Sequence, residues 1–189
     1  LTSIIDKING EFLILIFNKE KDSCEIINDR FASMPFYYRY DNNFLYGSTS
    51  FNDLFLYLSK NNLLELNDIS FFELIWLRRV YGQKTHDKKS FCLWPGTSLK
   101  WSQNKKETIP YWKPDYKKNR STLQENSIYL AELIKRSLVN KTSDSSRYGL
   151  FLSGGLDTRT LLAAFPKPVV SFTLAYEEEY SRELKTARK

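Results

Sequence analysis

The stretch that decides the fold of the second half of the chain lies at residues 148–158 and reads YGLFLSGGLDT. Its first five residues form a short apolar run, which is typical of a buried strand. Residues 158–165 carry apolar side chains at helical spacing, and two prolines then end that segment. A second apolar run follows at residues 169–174. This strand–loop–helix–strand order predicts two parallel strands joined by a right-handed crossover.

The residues between the first strand and the helix predict a loop that binds phosphate. Adjacent Gly154 and Gly155 let the backbone approach a ligand closely. The helix after them points its N–H groups and positive dipole end into the same space. Ser153 and Thr158 add hydroxyl donors. Asp157 would repel an anion unless a cation screened it, so its presence predicts bound Mg²⁺.

Other interpretations of this loop are weaker. A Gly-Gly turn that merely joins a strand to a helix is common, but it does not require the full hexapeptide at residues 153–158. The segment is not a Walker loop, because it lacks the Gly-Lys-Ser/Thr ending. It is not a nucleophile elbow either, because Phe151 occupies the position where that motif has glycine.

The first half of the chain is predicted to be rich in strands. The apolar run at residues 12–17 is expected to be a strand buried on both faces, and residues 24–28 form a second strand. Residues 36–40 and 44–46 predict a hairpin around an Asp/Asn turn.

Helices are predicted further along the chain. One opens at residues 50–53, and a second runs from residue 70 to about residue 81, with Gly82 as its stop. A third starts at Thr122 with a capping box to Glu125. The predicted apolar face of this third helix consists of Ile128, Ala131, Ile134 and Leu138.

Composition narrows the class of protein. The 189 residues are 42% hydrophobic and 26% charged, which indicates a soluble globular protein. No apolar run approaches the ~20 residues that cross a bilayer, and there is no signal peptide, so we expect a cytoplasmic protein without a membrane partner. Cys24 and Cys92 show no metal-binding or redox spacing, which favours buried, reduced thiols. His86 stands alone and is predicted to lie in a surface loop.

The loop at residues 153–158 resembles the pyrophosphate-loop signature of the asparagine synthetase family, with Thr158 in place of the more usual serine. The resemblance continues over nearly the whole chain, in the same order. It is carried by NGEF at residues 9–12, NDRF at 28–31, PFYY at 35–38, WPG at 94–96 and YW at 111–112.

This resemblance implies a fold in two parts. Residues 1–84 would be the later portion of a class II glutamine amidotransferase domain, which is an αββα sandwich. Residues 85–120 would be a structured linker. Residues 121–189 would begin a parallel-sheet, Rossmann-like ATP-pyrophosphatase domain. The fold class would thus combine an α+β part with an α/β part.

The resemblance also implies a chemistry. In this family ATP activates a carboxylate, that of aspartate in the namesake enzyme, as an acyl-adenylate, and ammonia released from glutamine then attacks it. The residues implied to bind ATP are Phe151, Ser153, Gly154, Gly155, Leu156, Asp157, Thr158 and Leu174. Of these, Asp157 would bind Mg²⁺, while Phe151 and Leu174 would pack around the adenosine.

The same resemblance sets an expectation about what the chain does not do alone. The family's glutaminase half uses an N-terminal cysteine, whereas this sequence starts at Leu1. The tripeptide at residues 9–11 resembles a strand entry of the family, not its glutamine-binding Asn-Gly-Glu. The lysine and glutamate that serve adenylation in the family would lie beyond Lys189. We therefore expect that the chain alone neither hydrolyses glutamine nor makes asparagine.

Two alternatives stay open from the sequence. A divergent relative, such as a β-lactam synthetase, a lasso-peptide cyclase or another amidotransferase, would use the same loop on a different acid. A nucleic-acid-binding module would use the basic and aromatic residues at 105–120, although a solvated linker pinned by its aromatics is favoured over it. A homodimer also stays open.

Overall fold

A computed structural model describes residue 5 and residues 7–102, 105–117, 121–174 and 185–186. The chain divides into two compact units, Leu1–Tyr116 and Lys117–Lys189, which we call unit 1 and unit 2. The resemblance to the later family helix at Glu183 and Ala187 falls outside the described residues.

Unit 1 contains a four-stranded sheet in the order β1-β2-β6-β7. Its strands are β1 (Leu13–Asn18), β2 (Ser23–Asn28), β6 (Thr97–Ser102) and β7 (Lys105–Pro110). All three pairings are antiparallel, with Ile26 opposite both Leu15 and Leu99. The strand over residues 24–28 is confirmed.

A three-stranded antiparallel sheet forms the second layer, in the order β4-β3-β5. Its strands are β3 (Tyr37–Asp41), β4 (Phe44–Ser48) and β5 (Ser90–Cys92). The predicted hairpin between β3 and β4 is confirmed. Its turn residues Asn42 and Asn43 have positive φ angles of 46° and 63°, which asparagine tolerates better than most residues do.

The core of unit 1 lies between these two sheets. Ile26 and Leu99 come from the first sheet and Tyr38 from the second, and all three side chains are buried. Phe36 and Leu93 flank the strands of the second sheet and complete the cluster. The residues predicted to form a linker therefore contribute three strands, β5, β6 and β7, to the sheets of unit 1.

One prediction about burial is wrong. β1 was expected to be covered on both faces, but Leu15 is 64% exposed and Phe17 is 59% exposed. β1 pairs only with β2 in the described sheet and lies at its edge. The continuous apolar run therefore belongs to an edge strand with one face exposed to solvent. The sequence pattern did not indicate which face would be exposed.

The described part of unit 1 also includes the helices α1 (Phe51–Lys60) and α2 (Asp68–Leu77). The helix predicted to open at residues 50–53 is confirmed as α1, and the Ser50 hydroxyl caps it by accepting from the Asp53 N–H at 3.3 Å. α2 begins two residues earlier and ends four residues earlier than predicted. It stops because Arg78 adopts a left-handed conformation with φ 56°.

His86 is not the surface-loop residue that the sequence suggested. It is half-buried, its Nδ1 lies 2.8 Å from the Ser70 hydroxyl, and its ring stacks on Phe71 at 4.6 Å. The contacts come from α2, which is distant in sequence, so no local pattern could indicate them.

Unit 2 contains α3 (Leu123–Lys141), β8 (Gly149–Phe151), α4 (Leu156–Ala164) and β9 (Val170–Phe172). The capping box between Thr122 and Glu125 is confirmed, with the Glu125 N–H donating to the Thr122 hydroxyl at 3.2 Å. β8 and β9 pair in parallel, as the strand–loop–helix–strand order predicted. No helix among the described residues is long and apolar enough to cross a membrane.

The predicted burial of unit 2 is wrong in part. Ile134 and Leu138 are half-buried, but Ile128 is 56% exposed and no residue of α3 is fully buried. β8 and β9 were expected to be buried strands, yet every residue of β9 is exposed. In the described part of the chain these two strands pair only with each other, which leaves much of their surface uncovered.

Candidate functional site

The loop at residues 153–158, called here the Ser153 loop, leaves the carboxyl end of β8 and enters α4. Leu152 anchors its start, because it is buried and its N–H donates to the Phe172 carbonyl at 2.8 Å. The Thr173 hydroxyl donates to the Leu152 carbonyl at 2.8 Å. The loop is therefore fixed to β9 on one side and to a helix on the other.

The two glycines of the loop have different structural roles. Gly154 has a φ of 74°, a left-handed conformation that a side chain disfavours by about 1–2 kcal/mol. Gly155 occupies the N-cap position of α4 and brings no side chain to cap the helix. Within the described residues no side chain caps this helix end, which leaves its first N–H groups without a side-chain acceptor.

Both predicted hydroxyl groups lie in the loop and point toward each other. The oxygens of Ser153 and Thr158 are 3.3 Å apart. The Gly155 N–H donates to the Ser153 hydroxyl at 3.4 Å, and the Thr158 hydroxyl donates to the Gly155 carbonyl at 3.3 Å. These contacts are long, so a stronger acceptor such as a phosphate oxygen could replace them at little cost.

Asp157 lies exposed in the first turn of α4. Within the described residues its carboxylate accepts no hydrogen bond, and no group of three or more His, Cys, Asp or Glu side chains forms a metal cluster. A Mg²⁺ ion held here would take one protein carboxylate and fill its remaining positions with phosphate oxygens and water, which is how Mg²⁺ is commonly bound.

The predicted adenosine contacts are open to solvent. Phe151 is 78% exposed, and its ring centroid lies 6.2 Å from that of Phe172 on the neighbouring strand. Leu174 is 76% exposed and Leu156 is 75% exposed. The structure places all three near the carboxyl ends of β8 and β9 or at the start of α4, the same end as the Ser153 loop.

A second aspartate, in unit 1, has the opposite environment. Asp29 is only 2% exposed and follows β2 directly. Its carboxylate accepts from the Phe31 and Ser33 N–H groups, each at 2.9 Å. The Ser33 hydroxyl and the Phe12 N–H also donate to it, at 3.2 and 3.4 Å. We call residues 28–33 the Asp29 turn.

Burial alone would raise the pKa of Asp29. Hydrogen bonds from the Phe31 N–H, from Ser33 and from the Phe12 N–H outweigh it and hold the pKa below its ordinary value.

The Asp29 turn also holds the loop before β6. The Gly96 N–H donates to the Asp29 carbonyl at 3.0 Å, and the Asn28 side chain donates to the Trp94 carbonyl at 2.8 Å. The Tyr111 hydroxyl donates to the Asn28 carbonyl at 2.5 Å. The segments that resembled the asparagine synthetase family, at residues 28–31, 94–96 and 111–112, are thus tied into one structural cluster.

The sequence did not indicate a buried ion pair in unit 1. Arg39 and Asp87 are almost fully buried and lie 3.1 Å apart. The Ser90 hydroxyl and the Glu65 N–H also donate to Asp87, at 2.6 and 2.8 Å. Arg39 pairs with Asp41 as well, at 2.6 Å, and the hydrogen bond from Arg39 lowers the pKa of Asp41. This cluster joins β3 to the segment before β5 and has a structural role.

Neither cysteine is prepared for nucleophilic chemistry. Burial raises the pKa of Cys24 and also that of Cys92. A raised thiol pKa reduces the thiolate fraction that attacks a substrate. Both cysteines are free thiols and half-buried, which agrees with the reduced thiols that the sequence predicted.

The basic and aromatic stretch makes contacts within unit 1. The Lys105 ammonium lies 2.9 Å from Glu107, and the Lys106 ammonium lies 5.6 Å from the Tyr38 ring centroid. Trp112 packs edge-on against Phe31 with centroids 5.4 Å apart. These contacts show aromatic side chains of the stretch packing within unit 1. They favour a structural role for the stretch over one in which its aromatic rings stack on nucleic-acid bases. Residues 118–120, at the end of the stretch, lie outside the described part of the chain.

Comparison with known proteins bears on unit 1. The family model for a glutamine amidotransferase domain matches residues 2–112. This range covers both sheets, the Asp29 turn and the first two helices. No curated protein matches the chain. The match supports an amidotransferase enzyme for which glutamine is the amide donor. The chain belongs to the glutamine amidotransferase domain family.

Proposed function

We propose that this chain is part of an ATP-dependent amide-forming enzyme of the asparagine synthase type. Unit 1 would be the later portion of its amidotransferase domain, and unit 2 would begin a Rossmann-like ATP-pyrophosphatase domain. The substrates would be aspartate, ATP and glutamine.

The observation that carries this proposal is the backbone of the Ser153 loop. Gly154 takes a left-handed conformation at the carboxyl end of a parallel strand, and the following helix starts without a side-chain cap. Ligands of open parallel sheets bind at this end of the strands. A helix N-terminus with free N–H groups next to two hydroxyls favours a phosphate group there.

The loop residues fit ATP with Mg²⁺. The Ser153 and Thr158 hydroxyls and the first N–H groups of α4 would donate to the pyrophosphate portion. Asp157 would hold Mg²⁺, which supplies positive charge that offsets the phosphates. A side chain at Gly155 would place its Cβ 3.3 Å from the Ser153 hydroxyl oxygen, so glycine keeps this donor accessible.

The proposed reaction has two steps. The carboxylate of aspartate displaces pyrophosphate from ATP and forms an acyl-adenylate. Ammonia released from glutamine then attacks the acyl carbon, AMP leaves, and asparagine forms. In the first step the Ser153 loop would orient the leaving pyrophosphate and stabilise its charge with N–H and O–H donors. Phe151 and Leu174, exposed near the same end of the strands, would pack against the adenosine.

Titration calorimetry of Mg·ATP into the chain tests this proposal. We expect measurable binding, and we expect Asp157→Ala to weaken it by about 10- to 150-fold, because a charge-assisted contact contributes roughly 1.5–3 kcal/mol. Glu132→Ala is the matched control, since Glu132 is an exposed carboxylate of the same unit on α3. Absence of Mg·ATP binding, or equal affinity for Asp157→Ala and the unchanged chain, would contradict the proposal.

A further inference from the structure

A single cationic residue, Arg159, lies next to the Ser153 loop in the sequence. Between residues 148 and 166 it is the only lysine or arginine. A Walker loop includes a lysine that reaches the phosphates, whereas residues 153–158 contain no cationic side chain. Arg159 is therefore the one side chain of this segment that can add positive charge to an anion held in the loop.

The side chain of Arg159 folds back toward the loop. Arg159 is exposed in the second turn of α4, and long helical side chains point toward the helix N-terminus. Its Nε donates to the Gly155 carbonyl at 3.4 Å. The Thr158 hydroxyl donates to the same carbonyl at 3.3 Å. The Nε of Arg159 is therefore held beside the N-cap residue of α4 and near one of the two hydroxyls of the loop.

The contact with Gly155 uses one of the five N–H groups of the guanidinium. Within the described residues Arg159 forms no ion pair, although Asp157 lies only two residues before it. Near the N-terminus of a helix a cation is disfavoured by the helix dipole, and an anion bound in the loop would offset that effect. Arginine suits a phosphate because its planar fork donates to two oxygens at once.

We propose that Arg159 binds the pyrophosphate portion of ATP in the Ser153 loop and binds the pyrophosphate that the first step releases. This inference rests on the function proposed for the loop and adds a charged ligand-binding residue to it. Asp157 holds Mg²⁺, and Arg159 donates to phosphate oxygens that the metal ion does not contact. A donor fixed in this position stabilises the charge that develops on the leaving group.

Titration calorimetry of Mg·ATP, and separately of pyrophosphate with Mg²⁺, into the full chain tests this role. We expect Arg159→Ala to weaken binding of each ligand by at least about tenfold, the lower end for a hydrogen bond between charged groups. Arg147→Ala is the matched control, because Arg147 is also exposed but precedes β8, at the opposite end of that strand. That variant should bind both ligands as the unchanged chain does, and circular dichroism would verify that both variants are folded.

Two further variants separate the charge of Arg159 from its contact with Gly155. Arg159→Lys keeps the charge and should weaken binding by only about two- to fivefold, since lysine lacks the fork of donors. Arg159→Gln keeps a neutral donor but no charge, and it should lose as much affinity as Arg159→Ala. Raising the salt concentration from 0.1 to 1 M shortens the Debye length from about 10 Å to about 3 Å. The difference in affinity between Arg159→Ala and the unchanged chain should therefore shrink.

The outcomes distinguish the role of Arg159 from the function on which it rests. A chain that binds neither Mg·ATP nor pyrophosphate contradicts both. A chain whose affinity falls in Asp157→Ala but is unchanged in Arg159→Ala overturns the role of Arg159 alone. Full affinity in Arg159→Gln, with a loss in Arg159→Ala, would assign the residue to the Gly155 contact and would also overturn the proposal.

Discussion

The Asp29 turn and the Ser153 loop each contain an aspartate, but the two carboxylates differ in burial and in hydrogen bonding. Asp29 is buried and accepts hydrogen bonds from three N–H groups and one hydroxyl. Asp157 is exposed, and within the described residues its carboxylate accepts none. A carboxylate with all its donors inside the chain stabilises the fold. One that faces solvent beside an uncapped helix is available to a ligand. The comparison indicates a structural role for Asp29, and it is consistent with the Mg²⁺-binding role that we propose for Asp157.

The largest expected effect separates the two aspartates by stability. Asp29→Ala should lower the free energy of unfolding of unit 1 by about 3–5 kcal/mol, because it leaves several buried donors without an acceptor. Asp157→Ala should change stability by no more than about 0.5 kcal/mol, as exposed substitutions commonly do. Urea denaturation followed by circular dichroism measures both. Similar losses for the two variants would remove the distinction.

The sequence predicted the local features of these sites but not their tertiary contacts. Adjacent glycines and hydroxyl residues indicated the Ser153 loop, and the capping box at Thr122 was readable because its partners lie three residues apart. The Asp29 donors include Phe12, which lies 17 residues away. The Arg39–Asp87 pair joins residues 48 apart in sequence. Such contacts leave no local pattern.

Burial was the least predictable property. The apolar runs at β1, β8 and β9 indicated strands, and strands form there. Which faces are covered depends on what packs against them, and an apolar run alone does not show that. The same limit applied to α2, which was predicted as a helix but whose exposed apolar side chains were not.

A smaller effect tests the turn that Asp29 holds. Gly96 has a φ of 60°, and a Cβ there would lie 2.8 Å from the Trp112 carbonyl oxygen, a backbone atom that cannot move freely. Gly96→Ala should therefore lower the free energy of unfolding by about 2–3 kcal/mol, from the left-handed conformation and the overlap together.

Gly82 provides the matched control for this substitution. Its φ is 74°, but a Cβ there meets no atom within 4 Å. Gly82→Ala should cost only the conformational part, about 1 kcal/mol. If the two alanine variants unfold at the same urea concentration, the close approach of Trp112 has no energetic role in the Asp29 turn.

The smallest expected effect is the dependence of unit 1 stability on pH. The pKa of Asp29 is lower in the folded chain than its ordinary value, so the unfolded chain binds a proton more readily. Its contribution is therefore complete above the unfolded pKa of about 3.9 and is lost as pH falls through the folded pKa. Urea denaturation between about pH 6 and pH 3 should show the free energy of unfolding falling at the acid end.

Asp29→Ala should make that fall less steep. Part of it will remain, because Arg39 lowers the pKa of Asp41 too. Asp157→Ala is the control variant, because Asp157 is exposed and belongs to unit 2. A slope that responds to Asp157 and not to Asp29 would reverse the assignment of the two carboxylates.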